Sequence, residues 1–289
     1  MADLPRIGVV TVLFNSAAVL PEFFTSIYSQ GYPSFTVFAV DNASQDDSVA
    51  ICAQHAPLCT VIANPENRGV AAANNQGIAA AIAAGCDLVL LLNNDVRCGP
   101  ELFAQLVEGL HTQNCEMTAP MIYFADSPGT IWCAGGSFDR WLGYRQHHIG
   151  EGEHDTGQFA PQRIAFAPTC CVLMRREVFE RVGRMDERYF VYWDDTDWML
   201  RAHRAGVVMW FLPEAKLWHK VGALTGRQSS FTLRYATRNH AFYLRKHLAA
   251  PLALFWLVIY AAGFAAGAPF SSRRRSQLAA WFEGWRMPL

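Results

Sequence analysis

The chain has 289 residues, of which 52% are hydrophobic, 13% aromatic and 17% charged, with a formal net charge of −1. That length buries a large core without disulfide staples, and that composition excludes a disordered chain. The near-neutral total conceals a split, because residues 221–289 carry nine Lys or Arg against one acid, a net +8, leaving −9 on residues 1–220.

Ile7–Phe14 is apolar and β-branched, the mark of a buried strand. Apolar residues at helical spacing over Ala17–Ser29 predict a helix, with Asn15 and Ser16 as candidate caps. A strand over Phe35–Val40, a short helix over Asp46–Gln54 and a strand over Cys59–Ala63 follow. Val70–Ala84 is an Ala-rich helix stopped by Gly85. Asp87–Leu92 is a continuous apolar run, as in a central parallel strand, and Glu101–Gln113 is the next helix. Strands alternating with helices predict an α/β fold with a parallel sheet covered on both faces. Ligands of such sheets sit beyond the carboxyl ends of the strands. That rule selects Phe14-Asn15, Asp41-Asn42 and Asn93-Asn94-Asp95. Eight scattered Cys with no C-x-x-C spacing read as free thiols of a reducing compartment. The first residues lack a basic region followed by a long apolar run, so no signal peptide is expected.

Four segments occur in order: Thr11 to Asn15 (TVLFN), Val40 to Asp46 (VDNASQD), Asn67 to Gly77 (NRGVAAANNQG) and Leu92 to Asp95 (LNND). Together they resemble the family 2 glycosyltransferases of the GT-A fold, and within these the bacterial rhamnosyltransferases and related galactofuranosyltransferases. Tyr189–Trp198 (YFVYWDDTDW) resembles the acidic catalytic segment of those enzymes, and Trp218-His219 resembles a pair that supplies them with a metal ligand. The resemblance covers roughly residues 5–220. It implies a Rossmann-like, mostly parallel sheet in a catalytic domain over 1–225, followed by a helical extension over 226–289.

The resemblance also implies roles. Asp195 is the general base that takes the acceptor's proton, and Asp194 and Asp197 position substrate or cap the following helix. Closely spaced carboxylates among aromatics raise one another's pKa, which suits the base. Asp95 and His219 hold Mg²⁺ or Mn²⁺, which neutralises the departing diphosphate. Phe14 stacks on a pyrimidine, while Thr11 and Asp41 read its edge and the ribose. Asn67, Arg68 and Asn74 hold the nucleotide and diphosphate, and Asn15, Asn93 and Asn94 complete the nucleotide-sugar site. The sequence departs from the common D-x-D metal motif by placing Asn93 where the first carboxylate stands. An amide is the poorer ligand and can bond a ribose hydroxyl instead. Residues 126–165, rich in Gly, His and Trp, resemble an acceptor-side flap.

Ala249–Phe270 contains no charge and is flanked by Arg245-Lys246 and Arg273-Arg274-Arg275. A span would carry the Arg triplet outside, against the positive-inside rule, so the expectation is an in-plane or re-entrant anchor. An amphipathic piece around Gln277–Trp285 would follow it. The expected enzyme is cytoplasmic and peripheral at the inner face of the cell membrane. It inverts configuration and moves rhamnose from dTDP-rhamnose to a glycan or lipid-linked acceptor in cell-surface polysaccharide assembly. A galactofuranosyl- or hexosyltransferase using a UDP-sugar is the alternative, and a non-catalytic nucleotide-sugar-binding protein is the alternative of another class. The body lacks a basic patch interleaved with aromatics, so no nucleic acid partner is expected.

Overall fold

The computed structural model describes residues 4–222 and 229–289. The boundary expected between residues 225 and 226 lies outside the described residues. The first half runs β1 (Ile7–Leu13), α1 (Leu20–Tyr28), β2 (Phe35–Asp41), α2 (Ser48–Ala53), β3 (Cys59–Ala63), α3 (Val70–Ala83), β4 (Leu88–Leu92), β5 (Val96–Cys98) and α4 (Leu102–Thr112). Then come β6 (Met117–Phe124), β7 (Ser127–Cys133), β8 (Gly136–Asp139), β9 (Arg145–His148), β10 (Gln162–Ile164), β11 (Cys171–Arg175), α5 (Glu177–Val182), α6 (Asp194–Arg204) and β12 (Met209–His219). Three helices close the chain: α7 (Ser230–His247), α8 (Ala250–Gly267) and α9 (Ser272–Arg286).

The main sheet has the order β10-β12-β6-β11-β4-β1-β2-β3. The parallel arrangement expected from the sequence holds over β4-β1-β2-β3 and returns between β6 and β12. Strand β11 is inserted antiparallel to both β4 and β6, so the sheet as a whole is mixed. Successive strand residues alternate between faces. Val9 and Leu13 therefore join a core with Phe23, Phe24, Phe103 and Leu106 of α1 and α4. Val10 joins the opposite core with Ile78 of α3 and Trp198 of α6. Two buried faces explain why β1 and β4 read as unbroken apolar runs.

Local starts differ from expectation in two places. Helix α1 begins at Leu20, with Pro21 in its first turn, and its N-cap is Val19. Ser16 is not that cap: its hydroxyl accepts from the Phe14 N–H, and its own N–H donates to the Ser48 hydroxyl. Helix α6 begins at Asp194, four residues ahead of the expected Trp198, so the first carboxylates of the acidic segment lie inside its first turn.

The C-terminal helices pack on one another and on the catalytic body. Gly284 of α9 sits so close to the Arg238 carbonyl of α7 that a Cβ would collide with it. Trp281 of α9 is fully buried and donates its indole N–H to the Leu257 carbonyl of α8 at 3.0 Å. Gln277–Trp285, expected as an amphipathic piece, lies within α9 and turns Ala280, Trp281 and Gly284 inward. Helix α8 buries only Ala253 and Leu257 and leaves Leu252, Leu254, Phe255, Val258 and Ile259 exposed.

Candidate active site

Three strand ends form one wall. Thr11 and Asp41 are buried, and the Thr11 hydroxyl and Asp41 Oδ1 have no hydrogen-bond partner among the described residues. The register pairs Thr11 with Ala39 and Leu13 with Asp41, so both polar groups lie on one face of adjacent strands. Such atoms are costly to leave unpaired, which marks them for a ligand. Phe14 is 45% exposed at the rim, open to stacking. Asn15 is committed locally: its Oδ1 accepts from the Gln45 N–H, and its own N–H donates to the Ser44 hydroxyl. Asn94 is also committed, through its amide to the Val12 carbonyl. Asn93 is exposed and Asn74 buried. Asn67 Oδ1 accepts from the Gly69 N–H, and exposed Arg68 lies 3.8 Å from Glu187.

Asp95 stands three residues past β4 and directly before β5, which runs antiparallel to the end of β12. That pairing sets His219 opposite Val96 and brings its Nε2 to 3.2 Å from Asp95 Oδ1. Both residues are buried, and neither Asp95 Oδ1 nor His219 Nδ1 makes a hydrogen bond among the described residues. An oxygen and an imidazole that converge without bonding each other suit two ligands of one cation. No group of three His, Cys, Asp or Glu among the described residues forms a complete metal cage. Substrate phosphates and water commonly complete such a set for Mg²⁺.

The acidic segment arrives from the opposite side. Phe190, Tyr192 and Trp193 all have positive φ, between 65° and 68°. Phe190 centres a γ-turn, with φ 66° and ψ −61° and the Val191 N–H donating to the Tyr189 carbonyl at 2.8 Å. This is the rare, strained form of that turn. Asn239 of α7 holds it, donating from Nδ2 to the carbonyls of Tyr189, Val191 and Tyr192 at 2.7, 2.7 and 2.9 Å. The Phe190 carbonyl accepts from the Val70 N–H at 2.5 Å, and Gly69, at φ 84°, has no room for a Cβ against it. The Asn67-Arg68-Gly69 segment and the acidic segment are therefore packed together.

The carboxylates of that segment divide in role. Asp194 is buried, whereas Asp195 is half-buried and accepts from the Thr196 N–H and hydroxyl through Oδ1 alone. Burial pushes both carboxyls above the usual range, and the charge of Asp195 raises Asp194 further. Asp197 goes the other way. Hydrogen bonding to His247 and the charges of Lys246 and Arg201 outweigh its burial and hold it well below the usual range. His247 Nε2, Lys246 Nζ and Arg201 Nε stand 2.7, 2.6 and 2.9 Å from its oxygens. Asp197 is thus a tie between α6 and α7, neither a base nor a helix cap.

Cys170, just ahead of β11, is buried. Burial pushes the Cys170 thiol far up, and the charges of Asp95 and Asp195 both add to the push. A ring ladder links them as well. His219 lies edge-on to Trp132 at 4.8 Å, and Trp132 edge-on to His148 at 5.0 Å. Burial holds His148 below its usual pKa, opposed by the charges of Glu151 and Asp195. Asn239, Trp132 and His148 carry no local sequence signal for these positions. Each acts through contacts with residues far away in the chain.

The family model for glycosyl transferase family 2 matches residues 8–183. The match includes Asp95 but stops short of Asp195 and His219, whose placement rests on the geometry above. The dTDP-rhamnosyl transferase RfbF of Shigella flexneri is 24% identical over 65% of this chain and 63% of its own length. The chain therefore spans less than two thirds of that relative. The N-acetylglucosaminyl-diphospho-decaprenol L-rhamnosyltransferase of Mycobacterium tuberculosis is 27% identical over 76% of this chain and 77% of its own. Among solved structures, GalNAc-T7 with UDP, GalNAc and Mn²⁺ superposes with a TM-score of 0.63 at 17% identity, covering 82% of this chain and 48% of that one. The mannosyltransferase PcManGT from Pyrobaculum calidifontis with GDP-Man and Mn²⁺ gives 0.59 at 16% identity, over 98% and 86%.

Proposed function

The chain belongs to glycosyl transferase family 2, and from that premise we propose an inverting transfer of rhamnose, from dTDP-rhamnose to a glycan or lipid-linked acceptor, in cell-surface polysaccharide assembly. The observation that carries the reading is the buried Asp95–His219 pair, 3.2 Å apart just beyond the carboxyl end of the central strand β4. The orphaned Thr11 and Asp41 oxygens receive the nucleoside, and exposed Phe14 stacks on its base. Asp95 and His219 would hold Mg²⁺ or Mn²⁺, which supplies charge neutralisation to the departing diphosphate. Asp195 takes the acceptor's proton on the oxygen that Thr196 leaves free. The acceptor oxygen then bonds the anomeric carbon as the bond to the diphosphate breaks on the opposite face. Configuration inverts in a single step. The names of both relatives support rhamnose as the sugar and, through the mycobacterial one, a lipid diphosphate as acceptor.

The bared face of α8 supports peripheral contact with a membrane. The most apolar 18-residue stretch within Ala250–Phe270 has a mean hydropathy of 1.8, and 11% of that stretch is buried. Arg273-Arg274-Arg275 follows at once, suited to an anionic inner leaflet.

The test is transfer from a panel of dTDP-, UDP- and GDP-sugars to lipid-diphosphate acceptors, beside thermal shifts with each nucleotide. Asp195→Asn should lower turnover by about 10²-fold or more while the donor still raises the melting temperature. Normal turnover in that variant removes Asp195 as base. Donor binding without turnover in the native chain, under every acceptor, assigns a binding protein instead.

A further inference from the structure

Helix α3 stands between the strand-end wall and the acidic segment, and two adjacent residues on it hold one side each. Gln76 holds the strand ends. Its Nε2 donates to Asn64 Oδ1 and its Oε1 accepts from Asn64 Nδ2, both at 2.8 Å. Asn64 follows β3, and its Nδ2 also donates to Asn42 Oδ1 at 3.1 Å. Asn42 comes directly after Asp41. Its Nδ2 donates to the Gly69 carbonyl at 3.1 Å, and its Oδ1 accepts from the Arg68 N–H at 3.4 Å. Three side-chain amides thus join α3 to the end of β2 that carries Asp41, and to the turn that opens the helix.

Asn75 holds the other side. Its Oδ1 accepts from the Met185 N–H at 2.9 Å, and its Nδ2 donates to the Met185 carbonyl and to Glu187 Oε1, both at 3.0 Å. Neighbouring helix residues point about 100° apart, so a single turn of α3 reaches both sides. Met185 and Glu187 lead into the strained turn at Phe190, which Gly69 meets from the start of the helix. Residues 183–193 lie outside the sheet and are placed by such side-chain bonds. Asn42, Asn64 and Asn75 are all buried. Stability alone does not call for buried amides, since apolar groups of the same shape can replace both partners at little cost. Paired amides add a fixed direction and distance. They also donate and accept without charge, so they neither titrate with the base nor repel a diphosphate.

We propose that Asn75 and Gln76 are positioning residues that set the base-bearing segment at a fixed distance from the nucleoside-reading wall. The assignment rests on the transferase reading and adds to it the part that fits base to donor. Nucleotide held at Thr11 and Asp41 fixes the anomeric carbon, and Asp195 fixes the attacking oxygen. The two must meet in line, and α3 carries the spacing between them. Asn239 shapes the turn ahead of the base, while Asn75 and Gln76 tie that turn to the donor wall.

The experiment separates position from binding. Asn75→Ala should lower kcat by about 10²-fold, the cost of about 1 Å at a reacting group. Affinity for dTDP and UDP, by calorimetry, should fall far less than kcat. Gln76→Ala, at a half-buried position, should act in the same direction and more weakly. Hydrogen exchange needs no turnover: peptides over residues 185–197 should exchange faster in Gln76→Ala than in the native chain, although the hydrogen bonds of Gln76 go to Asn64. Native kcat in both variants overturns the proposal. A fall in kcat matched by an equal fall in nucleotide affinity places the two residues in the donor site and overturns it too. Native exchange over 185–197 in Gln76→Ala also overturns it. If Asn75→Ala does not fold, Gln76→Ala decides by the same readouts. Failure of the transferase reading looks different: the native chain transfers nothing, yet residues 185–197 still exchange faster in Gln76→Ala.

Discussion

Asn239 is the residue on which the acidic segment hangs, and replacing it tests the whole arrangement. It is fully buried, its Nδ2 reaches three carbonyls, and its Oδ1 accepts from Arg238 Nε at 2.8 Å. The Tyr189 carbonyl keeps two other donors, Arg238 Nη2 and the Val191 N–H. Asn239→Ala therefore strips its partner chiefly from the Val191 and Tyr192 carbonyls. At about 1–3 kcal/mol for each group left unsatisfied, the two together lose about 2–6 kcal/mol. That is comparable to the roughly 1–3 kcal/mol of backbone strain at each of Phe190, Tyr192 and Trp193. Released, the segment relaxes, and Asp194 and Asp195 follow directly on Trp193. A displacement of about 1 Å at the base costs about 10²-fold in kcat. The melting temperature should fall by roughly 5–10 °C. Donor affinity should fall less than kcat, because Thr11 and Asp41 stand on other strands and only Asn67-Arg68-Gly69 packs against the released segment. Asn239→Asp, which keeps the shape and removes the donors, should do at least as much harm. The measurements are a melting curve, donor affinity by calorimetry and steady-state transfer. Wild-type kcat and melting temperature in both variants would refute the claim that α7 holds the base in place.

Both Asp194 and Asp195 have raised pKa values, so the acid limb of kcat/KM should lie above the ordinary carboxylate value of about 3.9. Asp194, raised to about 8 by burial and by the charge of Asp195, is still protonated where that limb lies, so Asp194→Asn should leave the limb in place; a limb that moves would show that the two carboxyls share the titration. The folded state holds these protons more tightly than the unfolded chain, so the pair stabilises least at high pH. Stability should fall as pH rises from about 4 through the raised values, and Asp194→Asn should flatten that slope in denaturant titrations. Asp95→Asn should abolish any Mn²⁺-dependent gain in nucleotide affinity, and His219→Ala should reduce it; calorimetry with and without the ion decides, and an undiminished gain in Asp95→Asn sinks the ligand assignment. Leu254, Phe255 and Ile259 are each about half exposed on α8, so replacing all three by Ser should weaken binding to anionic vesicles by about 10²-fold, at about 1 kcal/mol each. Melting should be unchanged, and vesicle flotation equal to wild type would count against the anchor.

What was legible in the sequence was what short-range pattern controls. Strand β4 and its polar end, Asn93-Asn94-Asp95, announce themselves because an unbroken apolar run must be buried on both faces. Asp195 and His219 stand out in the sequence only through the order of motifs shared with the family, since nothing local tells one Asp of DDTD from the next. Structure separates them by access: Asp194 is sealed, Asp195 is half open, and Asp197 is consumed by Lys246, His247 and Arg201. Strand β11 could not be oriented from sequence, because a central strand reads alike in either direction. Asn15 and Asn94 sit at strand ends as expected, yet both spend their side chains on the fold. Polar residues that end a strand and polar residues that staple its loops have the same composition.

The C-terminal helices bear on catalysis by more than proximity. One helix, α7, supplies Asn239 to the strained turn ahead of the base and Lys246 and His247 to the carboxylate just beyond it. It therefore grips the acidic segment on both sides of Asp195. The same helix carries α9 against its back at Gly284, and α9 holds α8 through Trp281. At Gly143 the tip of the β8–β9 hairpin rests on Leu244 of α7 and Trp256 of α8. Packed helices and buried hydrogen bonds thus run without a break from α8 to the acidic segment. Removing α8 and α9 should then lower kcat in detergent solution with a water-soluble acceptor, where no membrane is involved. An anchor that served only to concentrate enzyme at a surface would leave that rate untouched.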